Sequence, residues 1–412
     1  MPRLDPPSPS MPPSESLPVV DLAEPALWQD PAAALAPIRE QAPLARTARG
    51  ERVVLRYAET ESLLADARMR TIGARLLEGV GISEGPLADW WRLVMFNTNP
   101  PEHGRLRNLV SRAFTPRRVE ALRPRVRSLA EALVEPLLGA GEIDYEAALA
   151  DPLPIRVTCE LLGIPESEQP GVARWTSELG RVFATRLSDE QRARCEDAVE
   201  QLSDLLGELF ARRRRDPRDD LLTALARADE EGDRLSTDEC RAMAINLLFA
   251  GHDTTRGLLA IGLAALIRAP DAMAALRAEP ELVPGAVEEM LRLEPPTLGS
   301  LRAPIETIET PGGELPAGVP VHFLFPGGNR DPRVFDEPDR FDPRRRGPRP
   351  LSFGLGAHFC LGAGLARMEA RETLTTLLAH TSRIELRAPP TLVPFATIRR
   401  LESGLRLELV AS

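Results

Sequence analysis

One uninterrupted helical run limits the folds open to this chain more than anything else in it. Ser236-Thr-Asp-Glu239 is a capping box, and behind it apolar periodicity continues without a proline to about Arg268. At 1.5 Å per residue such a helix is about 48 Å long, enough to cross the whole molecule. Its middle is unusual: Phe249-Ala-Gly-His-Asp-Thr-Thr255 sets two small residues, an acid and alcohols inside an aliphatic stretch. Ala250 and Gly251 leave room beside the helix. Thr254 can bond back to the carbonyl of Ala250 and loosen the ladder, giving a groove with polar groups in an apolar wall. A kinked core helix with buried polar residues fits the same pattern.

A second stretch carries chemistry of another kind. Phe353-Gly-Leu-Gly-Ala-His-Phe-Cys360-Leu-Gly362 leads into a helical pattern that runs from Leu361 to about His380. Cys360 thus sits at a helix N-terminus, where free N–H groups at Leu361 and Gly362 and the macrodipole favour a thiolate. Gly354 and Gly356 permit a close approach of a flat group to the backbone. His358 can donate to an acidic substituent of it. A lone cysteine also behaves as a small buried hydrophobe. A zinc site lacks its further ligands.

Upstream, Asn99-Pro-Pro-Glu-His103-Gly-Arg-Leu-Arg107 starts a helix at its prolines, with His103 and Arg107 four apart on one face, able to hold one carboxylate. Downstream, Glu289 and Arg292 share a face near a helix end. Arg302 follows, then Asn329-Arg-Asp-Pro332 and Arg340-Phe341.

Taken together, F-G-x-G-x-H-x-C-x-G, A-G-x-D-T, P-P-E-H-x-R-L-R and E-x-x-R, in this order and spacing from Pro100 to the C-terminus, resemble the cytochrome P450 family. The resemblance implies a mainly α fold with a small β region (α+β), a triangular prism of helices around a buried haem b (iron protoporphyrin IX). It assigns the iron to Cys360 and the haem surroundings to His103, Arg107, Ala250, Gly251, Arg302, Phe353, Gly354, His358 and Gly362. His103 and Arg107 would hold one propionate, Arg302 and His358 the other. Asp253 and Thr254 would serve oxygen activation and proton delivery. Glu289, Arg292 and Arg340 would form a buried ion network bracing the cysteine loop. Trp90, Trp91, Phe96, Phe249, Leu298, Leu301 and Ile398 would line the substrate pocket, under lid helices drawn from Gly171–Leu187. Asn99 stands where the family often has Asp, and Gly104 where it has Thr or Ala.

The implied activity is that of a monooxygenase which hydroxylates or epoxidises an apolar small molecule with O2, in secondary metabolism. A peroxygenase driven by H2O2, or a haem sensor or carrier, is the alternative, and the Asp253-Thr254 pair argues against both. No flavin or nicotinamide domain fits the length, so a ferredoxin and ferredoxin reductase are the expected electron donors. Arg105, Arg112 and Arg344 to Arg346 are candidates for the basic face that meets them.

Composition narrows the rest. The 412 residues are 43% hydrophobic, ample for a large core, and the reading is a disordered proline-rich leader over 1–17 followed by one domain over 18–412. The net charge of −10 excludes nucleic acid as a natural partner. Every basic residue other than histidine is arginine. No run of eighteen uncharged apolar residues marks a membrane span, and the four cysteines show no framework spacing, so a cytoplasmic monomer is expected. Arg212 to Arg215 close a helix and are expected to stay solvated.

Overall fold

A computed structural model describes residues 17–412 except 74, 184–186 and 229–234, with the side chains of 112 and 113 also left aside. The expected leader therefore lies almost wholly outside the described residues. The fold is mainly helical with small sheets. Its axis is the run Thr237–Gly257, a π-helical stretch Leu258–Gly262 and Leu263–Ile267. Ser236 accepts from the Glu239 backbone while the Glu239 carboxylate accepts from the Ser236 N–H, closing the capping box at both ends. Most of this central helix is buried, because Pro152–Leu162, Gln169–Leu179 and Asp189–Arg215 pack around it. No single described helix is long and apolar enough to cross a membrane.

The sheets matter mainly for what they place. In the five-stranded sheet the spatial order is Leu44–Arg46, Arg52–Val54, Val321–Leu324, Gly299–Pro304 and Met69–Thr71. Its last pair sets Thr71 opposite Arg302. Thr71 also exchanges two backbone hydrogen bonds with the Asn99 amide, each 3.0 Å, which docks the entry of the Glu102–Ala113 helix against this strand. That amide does the tethering, so Asn is a working residue at this position. A three-stranded sheet joins Glu142–Asp144, Arg406–Ala411 and Thr381–Leu386. The bridge between Thr297 and Ile398 brings the C-terminal turn against the central helix.

The expected solvated arginine run needs one correction. Arg213 is 5% exposed, paired with Asp220 at 2.5 Å and donating to the Gly163 carbonyl at 2.7 Å. Gly163 ends its helix in the left-handed region, and its carbonyl is the kind of unpaired terminal acceptor that a guanidinium satisfies.

Candidate active site

The cysteine loop is shaped by two glycines. Gly354 has φ 63° and Gly356 φ 66°, and a Cβ on Gly356 would stand 2.5 Å from the Leu64 carbonyl, so no other residue fits there. The following helix is Ala363–His380, two residues later than the sequence suggests. The N–H groups that reach the Cys360 sulfur are consequently those of Gly362 and Ala363. Burial nonetheless pushes the thiol up, against these donors and against Arg107 and Arg367. The residue is open to solvent yet its sulfur is surrounded by protein, which identifies it as lining an interior recess.

The brace behind the loop is built around Glu289 and Arg292, both buried and paired through two bonds of 2.6 and 2.8 Å. Arg292 also donates to the carbonyls of Asn329, Pro338 and Arg340. Asn329 holds Leu351 and Ser352, and Ser352 donates to the Leu291 carbonyl at 2.6 Å. The expected third member is wrong. The Arg340 side chain is exposed and paired with Glu337, and only its carbonyl joins the network. Arg345 takes the place instead, 3.2 Å from Glu289 and 14% exposed. Sequence reasoning also missed Arg367, which pairs with Glu288 and lies 4.4 Å over the Phe353 ring, tying the loop to the brace helix.

Four cationic or ionisable side chains gather beside this recess. His103 and His358 stack with centroids 4.0 Å apart, and Arg107 donates to the Phe359 carbonyl at 2.7 Å. Arg302 has only its neighbouring Leu301 carbonyl. Among the described residues none of the four has a carboxylate partner, and His103 Nε2 is buried with no partner at all. Burial drops Arg302 to about 10. Burial together with Arg302, His103 and Arg107 drops His358 to about 3. Buried cations without counter-charge are costly, so the donor set fits a ligand bearing acidic groups. Haem b, with two propionates and an iron open to a thiolate, meets both demands.

The interrupted part of the central helix carries the second group of candidate residues. Ala250 is exposed although its neighbours on the helix are mostly buried, and Thr254 is half-buried. The back-bond expected from sequence is present: Thr254 Oγ1 donates to the Ala250 carbonyl at 2.8 Å. Gly251 does something other than expected. A Cβ there would meet Thr158 Oγ1 at 2.7 Å, so its lack of a side chain admits the Pro152–Leu162 helix rather than widening the groove. Asp253 is fully buried, between Arg256 at 3.1 Å and Arg400. Arg256 further reaches Asp151 at 3.2 Å and Glu146 at 3.4 Å. Burial lifts Glu146 to about 7. Burial acts the same way on Asp151, but His252 and Arg256 outweigh it and hold that carboxyl at about 2.

Of the expected pocket residues, Phe96 and Leu301 keep partly open side chains. Trp90, Trp91, Phe249, Leu298 and Ile398 are covered by protein and stand behind the open face. Trp91 packs on Phe96 and Phe183, and Phe183 stacks on Phe249 at 5.3 Å, so Phe183 is a wall residue that the sequence did not single out. Of the expected basic face, Arg105 is paired with Glu102 and Glu239, Arg344 with Glu279, and Arg345 is drawn into the brace. Arg346 is exposed, and the Arg112 side chain lies outside the described residues.

Comparison with known proteins agrees with this arrangement. The family model described as Cytochrome P450 matches residues 178–391. Cytochrome P450 monooxygenase PikC of Streptomyces venezuelae is 40% identical over 387 residues, spanning 91% of this chain and 90% of its own. The 6-deoxyerythronolide B hydroxylase of Saccharopolyspora erythraea is 37% identical over 343 residues, spanning 81% of this chain and 83% of its own. Among solved structures, that of CalO2 superposes with a TM-score of 0.89 at 30% identity, covering 95% of this chain and 99% of that one.

Proposed function

The chain belongs to the cytochrome P450 family and is a monooxygenase acting on apolar small molecules with haem b, and from that premise we propose the roles of its own residues. When bound, the haem supplies the iron at which O2 is reduced and from which one oxygen atom passes to the substrate. Cys360 would ligate that iron through its sulfur, with the Gly362 and Ala363 N–H groups and Arg107 favouring the thiolate. His103 and Arg107 hold one propionate, and Arg302 and His358 the other. The observation that carries this reading is the gathering of these four groups without a carboxylate in a recess that also opens on Cys360.

On the opposite side, Thr254 Oγ1 gives its proton to the Ala250 carbonyl, leaving its lone pairs to accept from a ligand in the groove. Rotation of the hydroxyl then offers that proton to the ligand, and the Asp253 carboxylate takes up a proton from solvent and passes it to Thr254 in replacement. The covered aromatic wall from Trp91 to Phe249 excludes water from this exchange. Residues 18–412 form the one domain that holds both halves of the site.

The substrate is an apolar secondary metabolite, by similarity to relatives that include the 6-deoxyerythronolide B hydroxylase and the mycinamicin IV hydroxylase/epoxidase. Redox partners deliver the electrons. These are a ferredoxin and its reductase, which the exposed Arg346 ahead of the ligand loop helps to dock. The test is spectroscopic. The ferrous carbon monoxide complex is expected to show the strongly red-shifted Soret band of thiolate ligation, and Cys360→His to abolish it. A colourless protein after expression with ample haem precursor overturns the assignment.

A further inference from the structure

Two consecutive residues of the helix Gln169–Leu179, which overlaps the segment Gly171–Leu187 expected to supply the lid, are bonded to the neighbourhood of two consecutive residues of the central helix. Thr176, fully buried, shares a hydrogen bond of 3.1 Å with His252 Nδ1, and His252 Nε2 reaches Asp151 at 3.0 Å. One residue on, the Ser177 carbonyl accepts from Arg400 Nη2 at 3.1 Å. The same nitrogen of Arg400 is paired with the Asp253 carboxylate. Ser177 lies in the last turn of its helix, where carbonyls have no partner within the helix and a guanidinium is a favourable cap. Arg400 therefore serves the lid and the acid at once.

The lid comes down directly onto this pair. Gly180, where the lid helix passes into the turn Gly180–Phe183, is buried. A Cβ placed there would stand 1.8 Å from both Arg400 Nη2 and Asp253 Oδ2. A side chain at this position would have to push one or both of these groups aside. Asp253 has no exposed surface, so its charge depends on Arg400 and on Arg256, and Arg256 is shared with Glu146 and Asp151.

We propose that Arg400 is a positioning residue that couples closure of the lid helix to the seating of Asp253, so that this acid is held for proton transfer only when the lid is down. With the lid lifted, Arg400 loses either the Ser177 carbonyl or the carboxylate, and Asp253 is left to Arg256 and incoming water. The coupling is reciprocal by linkage: what weakens the ion pair loosens the lid, and what wedges the lid weakens the pair. This rests on the role given to Asp253 above, and deepens it by naming what sets that residue's state.

The test reads amide hydrogen exchange over residues 169–183 in the haem-loaded resting enzyme. Arg400→Gln cuts the bridge, Gly180→Ala wedges it from the lid side, and Asp253→Asn keeps the shape of the acid while removing its charge. Each is expected to raise exchange in the lid helix about tenfold, within the range usual for coupled sites. The double variant Arg400→Gln with Asp253→Asn should go no further than either alone, because both break one link. Product formed per NADH should fall in Gly180→Ala, which touches no substrate. Exchange within twofold of the parent in Gly180→Ala and Asp253→Asn overturns the proposal, as does additivity in the double variant. The exchange measurement needs no turnover, so its failure removes the coupling alone, whereas loss of the thiolate spectrum would remove the haem assignment.

Discussion

The Thr254 side chain illustrates how much one hydroxyl is asked to do. In the helix it donates to the Ala250 carbonyl, an interaction that costs the regular ladder a little and bends it locally. A π-helical stretch begins four residues later, at Leu258. Replacing Thr254 by alanine removes the proton carrier nearest the groove without removing a ligand to any cofactor. The expected result is continued electron uptake with the reducing equivalents diverted to H2O2, and a fall of about tenfold or more in product per NADH. NADH consumption, product and peroxide measured together decide it. Unchanged coupling would take proton delivery away from this residue.

At the scale of elements, the loop that carries Cys360 owes its shape to a frame none of whose members touches the iron side. Glu289 accepts from Arg292, from Arg345 and from the backbone N–H of Asp342, so three donor groups converge on one buried carboxylate. Taking away Arg345 leaves that carboxylate short of a partner, at an expected cost of about 2 kcal/mol. Arg345→Ala should lower the denaturation midpoint and the fraction of protein purified with haem, whereas Arg340→Ala should match the parent in both. The contrast follows from where the two guanidinium groups point, since the residues lie five apart on the same loop. Equal effects of the two substitutions would show that the frame is assembled differently.

Over the whole molecule, the cysteine loop, the capping box and the Thr254 back-bond were legible because each is local: spacing along the chain sets who meets whom. The antiparallel pairing of Leu44–Arg46 with Arg52–Val54 is local in the same sense. What stayed hidden depends on contacts between distant segments, as with Arg400 beside Asp253, Arg345 in place of Arg340, and Thr158 filling the side of Gly251. Part of the basic face was hidden for a related reason: in a chain with 51 arginines and 61 acidic residues, Arg105, Arg344 and Arg345 are engaged by carboxylates of the chain itself. This bears on how the cofactor and the fold depend on each other. Arg302 is largely surrounded by protein, without a carboxylate partner among the described residues, and burial has lowered its affinity for a proton. On the proposed pairing of Arg302 with a propionate, the haem-free chain carries a penalty that haem would relieve, and haem would stabilise the fold both by its own contacts and by cancelling that penalty. Arg302→Met keeps most of the apolar stem and discards the charge. It should raise the stability of the haem-free protein, by roughly 1–3 kcal/mol, while weakening retention of haem in the loaded one. Denaturation of the two forms side by side, with haem transfer to an acceptor protein, reads both signs; a variant less stable than the parent without haem would mean that Arg302 supports the fold by itself.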